Sequence, residues 1–285
     1  MRTAVFSLVL ATVGRTKELD RLFDSLAAQT FHDFEVLVVD QNPDNRLVPH
    51  LERASSLGIV VRHLKRHPPN LAAARNAGIA AATGEWVGFP DDDCWYEHDV
   101  LKKLAARFIR PEKPTGVIIR WIEQGEPPVV APALTWARSR AFRDVPVSSI
   151  TAFFERALFD RIGGFDPRLG LGQWFGAAEE TDLVMRALRD GALVVYEPSA
   201  QVHHALSSTG LAADPQARLA ARRRARGTGA LYAKHGLPAW VIARGLMAPV
   251  LRPLLKGAFG PELAHGYAVM RGRLDGLLGW ERRRE

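Results

Sequence analysis

Residues 84–101 read GEWVGFPDDDCWYEHDVL. An apolar run, Trp86 to Phe89, ends in three consecutive aspartates, Asp91, Asp92 and Asp93. This is how a buried strand reads when it delivers like charges to a place where solvent is partly excluded, and something positive must offset them. Hard divalent cations such as Mg²⁺ or Mn²⁺ take oxygen ligands and leave positions open for phosphate oxygens, so a metal bridging a diphosphate is the economical explanation. The bland reading is an acidic turn capping a helix that starts near Glu97.

Upstream, the chain alternates strand and helix. Ala4 to Leu10 is a continuous apolar run, as in a strand covered on both faces, although MRTAVFSLVLATVG also imitates a short signal peptide. Thr16 can cap a following helix whose Leu19, Leu22, Phe23 and Leu26 form one stripe. Phe34 to Val39 repeats the buried-strand pattern and closes on Asp40 and a turn cluster. A strand at Ile59 to Val61 and an Ala-rich helix at Leu71 to Ala82 complete an α/β pattern with a mostly parallel sheet. Ligands bind such sheets beyond the carboxyl ends of the strands, where Ala11 to Arg15, Asp40 to Asp44 and the aspartate run all fall. Past residue 110 the alternation weakens, with Pro111, Pro114, Pro127, Pro128 and Pro132 breaking the chain and strands expected at Gly116 to Ile122 and Val147 to Phe154.

Composition narrows the classes. The 285 residues are 47% hydrophobic and 24% charged, ordinary for a globular enzyme. The single cysteine, Cys94, excludes an intramolecular disulfide and fits a reducing cytoplasm, and no run of ~18 apolar residues suggests a transmembrane helix. Residues 1–206 carry 24 Lys and Arg against 26 Asp and Glu, whereas residues 207–285 carry 14 against 5, so the net charge of +7 belongs to the tail. A first turn reading LATVGRT lacks the G-x-G-x-x-G of dinucleotide enzymes.

Six segments in order, FSLVLATVGR, FEVLVVDQNPD, NLAAARNAGIAAATGEWVGFPDDD, ITAFFERALFDRIGGFD, GLGQWFGAAEETDLVMRAL and VVYEPSAQVHH, resemble the inverting family 2 glycosyltransferases. The resemblance implies the GT-A fold, a Rossmann-like mostly parallel sheet flanked by helices, with a mixed acceptor-side region and a helical C-terminal appendage. It divides the chain into a catalytic domain at 1–206, with a nucleotide-sugar half (1–110) and an acceptor half (111–206), and a basic helical extension at 207–285.

The resemblance also implies roles. Thr12, Arg15, Asp40, Arg75, Asn76, Asp91 and Asp92 would bind the nucleotide sugar, with a structural ion pair as the alternative for Arg75; Asp93, Asp91 and His204, favoured over the adjacent His203 by its spacing from YEP, would hold Mn²⁺ or Mg²⁺; Trp174 would stack on the acceptor sugar or else fill the core. Glu180 falls at the general-base position, with Glu179 beside it able to share the role. The implied reaction is metal-dependent inverting transfer of a sugar to a carbohydrate or polyprenyl-linked hydroxyl, as in cell-surface polysaccharide synthesis. A UDP-sugar is the favoured donor, with GDP- and dTDP-sugars as alternatives. A sugar nucleotidyltransferase and a non-catalytic nucleotide-sugar-binding protein are the rival readings.

The tail carries Arg218, Arg222, Arg223, Arg224 and Arg226, then LPAWVIARGLMAPVLRPLLKGAFG, in which Arg244, Arg252 and Lys256 lie within about 120° on a helical wheel. Such a segment suits either the headgroup layer of an anionic membrane or packing on the catalytic domain, and Pro249 and Pro253 are expected to interrupt it. No recognition motif points to nucleic acid. The expected location is cytoplasmic, on the inner face of the cell membrane if the tail docks there.

Overall fold

The computed structural model describes residues 4–123, 133–141, 147–204 and 214–283. Pro127, Pro128 and Pro132 lie outside them. The chain begins as expected, β1 (Phe6–Thr12), α1 (Glu18–Ala27) and β2 (Phe34–Asp40), with Leu19, Leu22, Phe23 and Leu26 of α1 fully buried. Then come α2 (Val48–Ser56), β3 (Val60–Lys65), α3 (Leu71–Ala81), β4 (Trp86–Gly88) and β5 (Cys94–Tyr96). The second half holds α4 (Val100–Phe108), β6 (Gly116–Trp121), α5 (Trp136–Arg140), β7 (Ala152–Glu155), α6 (Arg156–Ile162), α7 (Glu179–Arg189) and β8 (Val194–His204).

The eight strands among the described residues form one sheet in the order β3-β2-β1-β4-β7-β6-β8-β5. The first four pair in parallel, whereas β7 runs antiparallel to β4 and β6, and β5 antiparallel to β8. The switch from parallel to mixed pairing falls where the alternation fades in the sequence. Apolar clusters line both faces, one around Phe6, Leu8, Phe23 and Trp86 and the other around Val9, Phe89, Phe154 and Leu183. Both faces of β1 and β2 are covered, which is why those strands carry no polar alternation.

Several local readings change. Strand β1 lies two residues further on than expected, and α1 starts after Lys17 without a side-chain cap from Thr16. Helix α2 is additional; its buried Leu51 and Ala54, with Leu47 before them, give a short stripe that an exposed, charged surround conceals. The aspartate run does not cap the helix expected near Glu97, because β5 lies between them and α4 begins at Val100 after Asp99. The segment expected as a strand from Val147 is a 3₁₀ turn, Ser149–Thr151, before β7. Glu197 to Ser199, with Pro198 between them, lie at a bulge inside β8, where the register against β6 jumps between Ile119 and Arg120.

The tail forms α8 (Pro215–Lys234), α9 (Ala239–Leu255) and α10 (Pro261–Gly279). Helix α9 runs through Pro249 and Pro253 without the expected interruption. Helices α8 and α10 meet backbone to backbone: a Cβ on Gly229, Gly272 or Gly276 would lie 2.0–2.3 Å from a carbonyl oxygen of the other helix. The pair is not detached from the rest, because Leu231, Tyr232, Val241 and Trp280 share a buried cluster with Leu169, Phe175 and Met185.

Candidate active site

The carboxyl ends of β1 and β4 bring Thr12, Arg15 and the aspartate run together. Thr12 Oγ1 donates to Asp92 Oδ2 at 2.6 Å, and Arg15 forms an ion pair with Asp92 and another with Asp93 at 2.7 Å. Asp92 is buried, which raises its pKa above the ordinary value despite Thr12 and Arg15. Asp93 goes the other way: burial would raise it, but the hydrogen bond and charge of His204, together with Arg15, bring it down.

His204 reaches Asp93 because β5 follows the aspartate run directly and pairs with the end of β8, Cys94 opposite His204 and Trp95 opposite His203. His204 Nε2 lies 2.9 Å from Asp93 Oδ1. His203 lies on the other side of the ladder, between Glu97 (2.8 Å) and Glu123 (2.9 Å), with its ring stacked on Trp95. Those two carboxylates outweigh burial and raise its pKa.

A carboxylate oxygen and an imidazole nitrogen at one point suit Mn²⁺, or Mg²⁺ with a less ready nitrogen ligand. No group of three His, Cys, Asp or Glu able to hold a metal occurs among the described residues. Asp91 does not join Asp93 and His204, because Arg75 Nη2 donates to its Oδ1 at 3.0 Å and Ser149 Oγ lies 3.3 Å from the same oxygen. The donor set therefore fits a two-residue anchor whose remaining positions fall to phosphate oxygens and water.

Arg75, on α3, is the connection across the site. Its guanidinium, 2% exposed, lies 3.0 Å from Asp91, 3.4 Å from Glu180 and 3.5 Å from Glu179. Burial would lower its pKa, but the three carboxylates raise it and keep it charged. With its guanidinium turned inward, Arg75 ties the aspartate run to the glutamate pair, which is the ion-pair reading of this residue. Asn76 is held by Phe165, its Nδ2 donating to Phe165 O at 2.8 Å and its Oδ1 accepting from Phe165 N at 2.7 Å. Asp40 is fully buried and engaged by Asn42, His63 and Lys65, whose hydrogen bonds overcome burial and lower its pKa. It acts through Asn42, whose Oδ1 accepts from Gly14 N at 2.7 Å and so fixes the Arg15 loop.

Glu179 and Glu180 open α7 after Ala178, whose φ of +84° is the only left-handed non-glycine conformation among the described residues. That conformation costs about 1–2 kcal/mol for an L-residue and is held by the packing around it. Gly227 of α8 supplies part of that packing: a Cβ there would lie 2.1 Å from Ala177 O. Burial raises the Glu179 pKa first, and the neighbouring Glu180 raises it further, against the pull of Arg75. Burial therefore favours the neutral form of Glu179, and Glu180 has the more exposed side chain of the two.

Trp174 belongs to different surroundings. Its ring packs on Gly279 and Phe175, and the guanidiniums of Arg226 and Arg283 lie over it at 4.5 and 4.4 Å from its centroid. Sequence reasoning missed this hollow and the Ser149 contact with Asp91; the spacing of Arg222, Arg226 and the helix glycines is the signal that would have led to the first.

The sequence profile described as "Glycosyl transferase family 2" matches residues 7–157, just over half of the chain. The chain is 27% identical over 240 residues to "Uncharacterized glycosyltransferase YwdF" of Bacillus subtilis (strain 168), covering 81% of this chain and 84% of that one. In structure it resembles mannosyltransferase PcManGT from Pyrobaculum calidifontis, in complex with GDP-Man and Mn²⁺, with a TM-score of 0.69 at 18% identity over 99% of this chain and 89% of that one. S. aureus TarS 1-349 in complex with UDP-GlcNAc follows at 0.60 and 17%, over 97% and 91%. At such identities the structural likeness establishes the GT-A fold, and the family rests on the profile, whose match runs from β1 through the aspartate run to the start of α6. The chain belongs to glycosyl transferase family 2 and is a glycosyltransferase.

Proposed function

We infer that the protein moves one sugar from a nucleoside diphosphate sugar to a hydroxyl of a carbohydrate or lipid-linked acceptor, with inversion at the anomeric carbon and with a divalent cation. The observation that carries this reading is the continuity of charge from His204 and Asp93, through Arg15 and Asp92, to the Asp91–Arg75–Glu180 bridge: cation-binding groups and a proton acceptor stand in one connected site. Asp93 and His204 would hold Mn²⁺ or Mg²⁺, which when bound neutralises charge on the diphosphate leaving group. Arg15, about half exposed, offers its fork to the same phosphates. Glu180 takes the proton from the acceptor hydroxyl, with the Arg75 guanidinium 3.4 Å away and with burial favouring the neutral form of Glu179.

Relatives of this fold in complex with GDP-Man and UDP-GlcNAc support nucleotide sugars as donors without choosing the base. The test is release of nucleoside diphosphate from UDP-GlcNAc or GDP-mannose, with Mn²⁺ or with chelator. Metal-dependent release of UDP or GDP is the expected result; release of pyrophosphate from a sugar phosphate and a nucleoside triphosphate would point to nucleotidyl transfer instead.

The same reading places the tail at a polysaccharide-assembling membrane, on its cytoplasmic face. No helix among the described residues is long and apolar enough to cross a membrane. Support for peripheral docking comes from α9, where Trp240, Met247, Leu251, Leu254 and Leu255 are exposed along one stripe beside Arg244 and Arg252. Met247→Glu with Leu251→Glu should reduce co-sedimentation with phosphatidylglycerol vesicles; equal sedimentation would leave the stripe without that role.

A further inference from the structure

Between α8, α10 and the 3₁₀ turn Glu281–Arg283 lies a hollow of about 720 Å³. Five arginines line it, Arg222 and Arg226 from α8, Arg271 from α10, and Arg282 and Arg283 from the turn, against one carboxylate, Asp275. Asp275 is engaged already, at 2.6 Å from Arg222 and 3.4 Å from Arg271. Arg226 and Arg283 both place a guanidinium over the Trp174 ring, which attracts cations but cannot neutralise them. Arg226 Nε is buried and has no hydrogen-bond partner among the described residues. Burial lowers the Arg226 pKa, and the charges of Arg222, Arg223 and Arg283 push it the same way, with Asp275 opposing.

A protein that gathers five guanidiniums around one acid accepts repulsion that a lysine-free, uncharged lining would avoid, since like charges at i and i+4 alone destabilise a helix. We propose that this hollow is a binding site for a phosphate-bearing ligand, whose oxygens take the donors of Arg226, Arg282 and Arg283. Planar guanidinium forks match phosphate oxygens in pairs, and Trp174 with the exposed Leu278 gives the rim an apolar side for whatever the phosphate is attached to. The phosphate comes either from a free phosphorylated molecule or from a lipid headgroup. The site is separate from the Asp93–His204 anchor, so its failure would leave the donor-site reading untouched.

The test uses the full chain, metal-free and at low salt, with two probes: inorganic pyrophosphate by calorimetry, and phosphatidylcholine vesicles with and without phosphatidylglycerol by co-sedimentation. R226Q/R283Q should weaken binding by about tenfold or more, roughly the worth of one charge-assisted contact. R223Q/R224Q, which removes the same charge from exposed positions outside the hollow, should change it by less than about twofold. Pyrophosphate binding lost selectively in R226Q/R283Q assigns the site to free phosphates, and selective loss of phosphatidylglycerol vesicles alone assigns it to headgroups. Should R226Q/R283Q fail to fold, R282Q at an exposed position replaces it, with a smaller loss expected. Equal losses in both double variants, or no binding of either probe by the parent protein, would overturn the proposal.

Discussion

The mouth of the sheet and the hollow of the tail treat charge in opposite ways. At the mouth, Asp91, Asp92 and Asp93 each have a cationic or hydroxyl partner from another element: Arg75 and Ser149, Thr12 and Arg15, and Arg15 and His204. In the hollow, five arginines line a space with one carboxylate, Asp275, which pairs with Arg222 and Arg271. A site whose charges are balanced by the chain can be assembled before its ligand arrives; one whose charges are not has its counter-ion elsewhere. The contrast also explains why the mouth tolerates burial, since each buried charge there is paired.

The sharpest test of the balanced site is its proton acceptor. Glu180→Gln keeps shape but cannot take a proton, so donor binding should persist while turnover falls by ~10²- to 10⁴-fold, read as kcat against KM. Full turnover in that variant would break the assignment. Next in size, Asp93→Ala should cut Mn²⁺-dependent UDP or GDP affinity by ~10- to 100-fold while thermal stability holds; calorimetry with unchanged metal-dependent affinity would remove Asp93 from the anchor.

A third variant joins the two regions. Gly227→Ala drives a Cβ into Ala177 O, so stability should fall by about 1–3 kcal/mol, seen as a lower denaturation midpoint. If the tail is indifferent to the glutamate pair, turnover of the folded fraction will not change.

The smallest effect concerns Glu179. Its folded pKa lies near 8 against 4.5 for the free group, so the folded chain holds a proton that the unfolded chain releases as pH rises. That contribution is complete below about 4.5 and is lost as pH passes through about 8. Glu179→Gln should therefore gain thermal stability over the parent across this window, by a few degrees at its upper end, and a gap that stays constant with pH would contradict the buried, protonated carboxyl.

Much of the first half was legible because its signals are local. The stripe of α1, the apolar runs of β1 and β2 and the aspartates at the end of β4 lie within a few residues of one another. His204 was legible as a partner of Asp93 only through resemblance, since the β5–β8 pairing joins positions far apart in sequence. The direction of side chains was not legible. The family resemblance puts Arg75, Asn76 and Asp40 at the nucleotide pocket, and α3 and β2 turn all three inward onto protein groups. Trp174 went the same way for a different reason: nothing in GLGQWFG foretells that α8 and α10 close over it. The glycines at 229, 272 and 276 did carry a trace of that closure, as small residues where two helix backbones approach.

The ladder between β5 and β8 is three residue pairs long. Strands in a sheet lie about 4.7–4.9 Å apart whatever their side chains, so this short ladder is a ruler that sets the reach from Asp93 to the imidazole beyond it. Alternate residues face opposite sides, and a slip of one position exchanges the faces. The neighbouring histidines are therefore not spares for each other. A single-residue insertion ahead of Val202 and His203 in β8 would bring His203 opposite Cys94, beside the aspartates, put Val202 in its former place toward Glu97, and carry His204 past the end of the ladder.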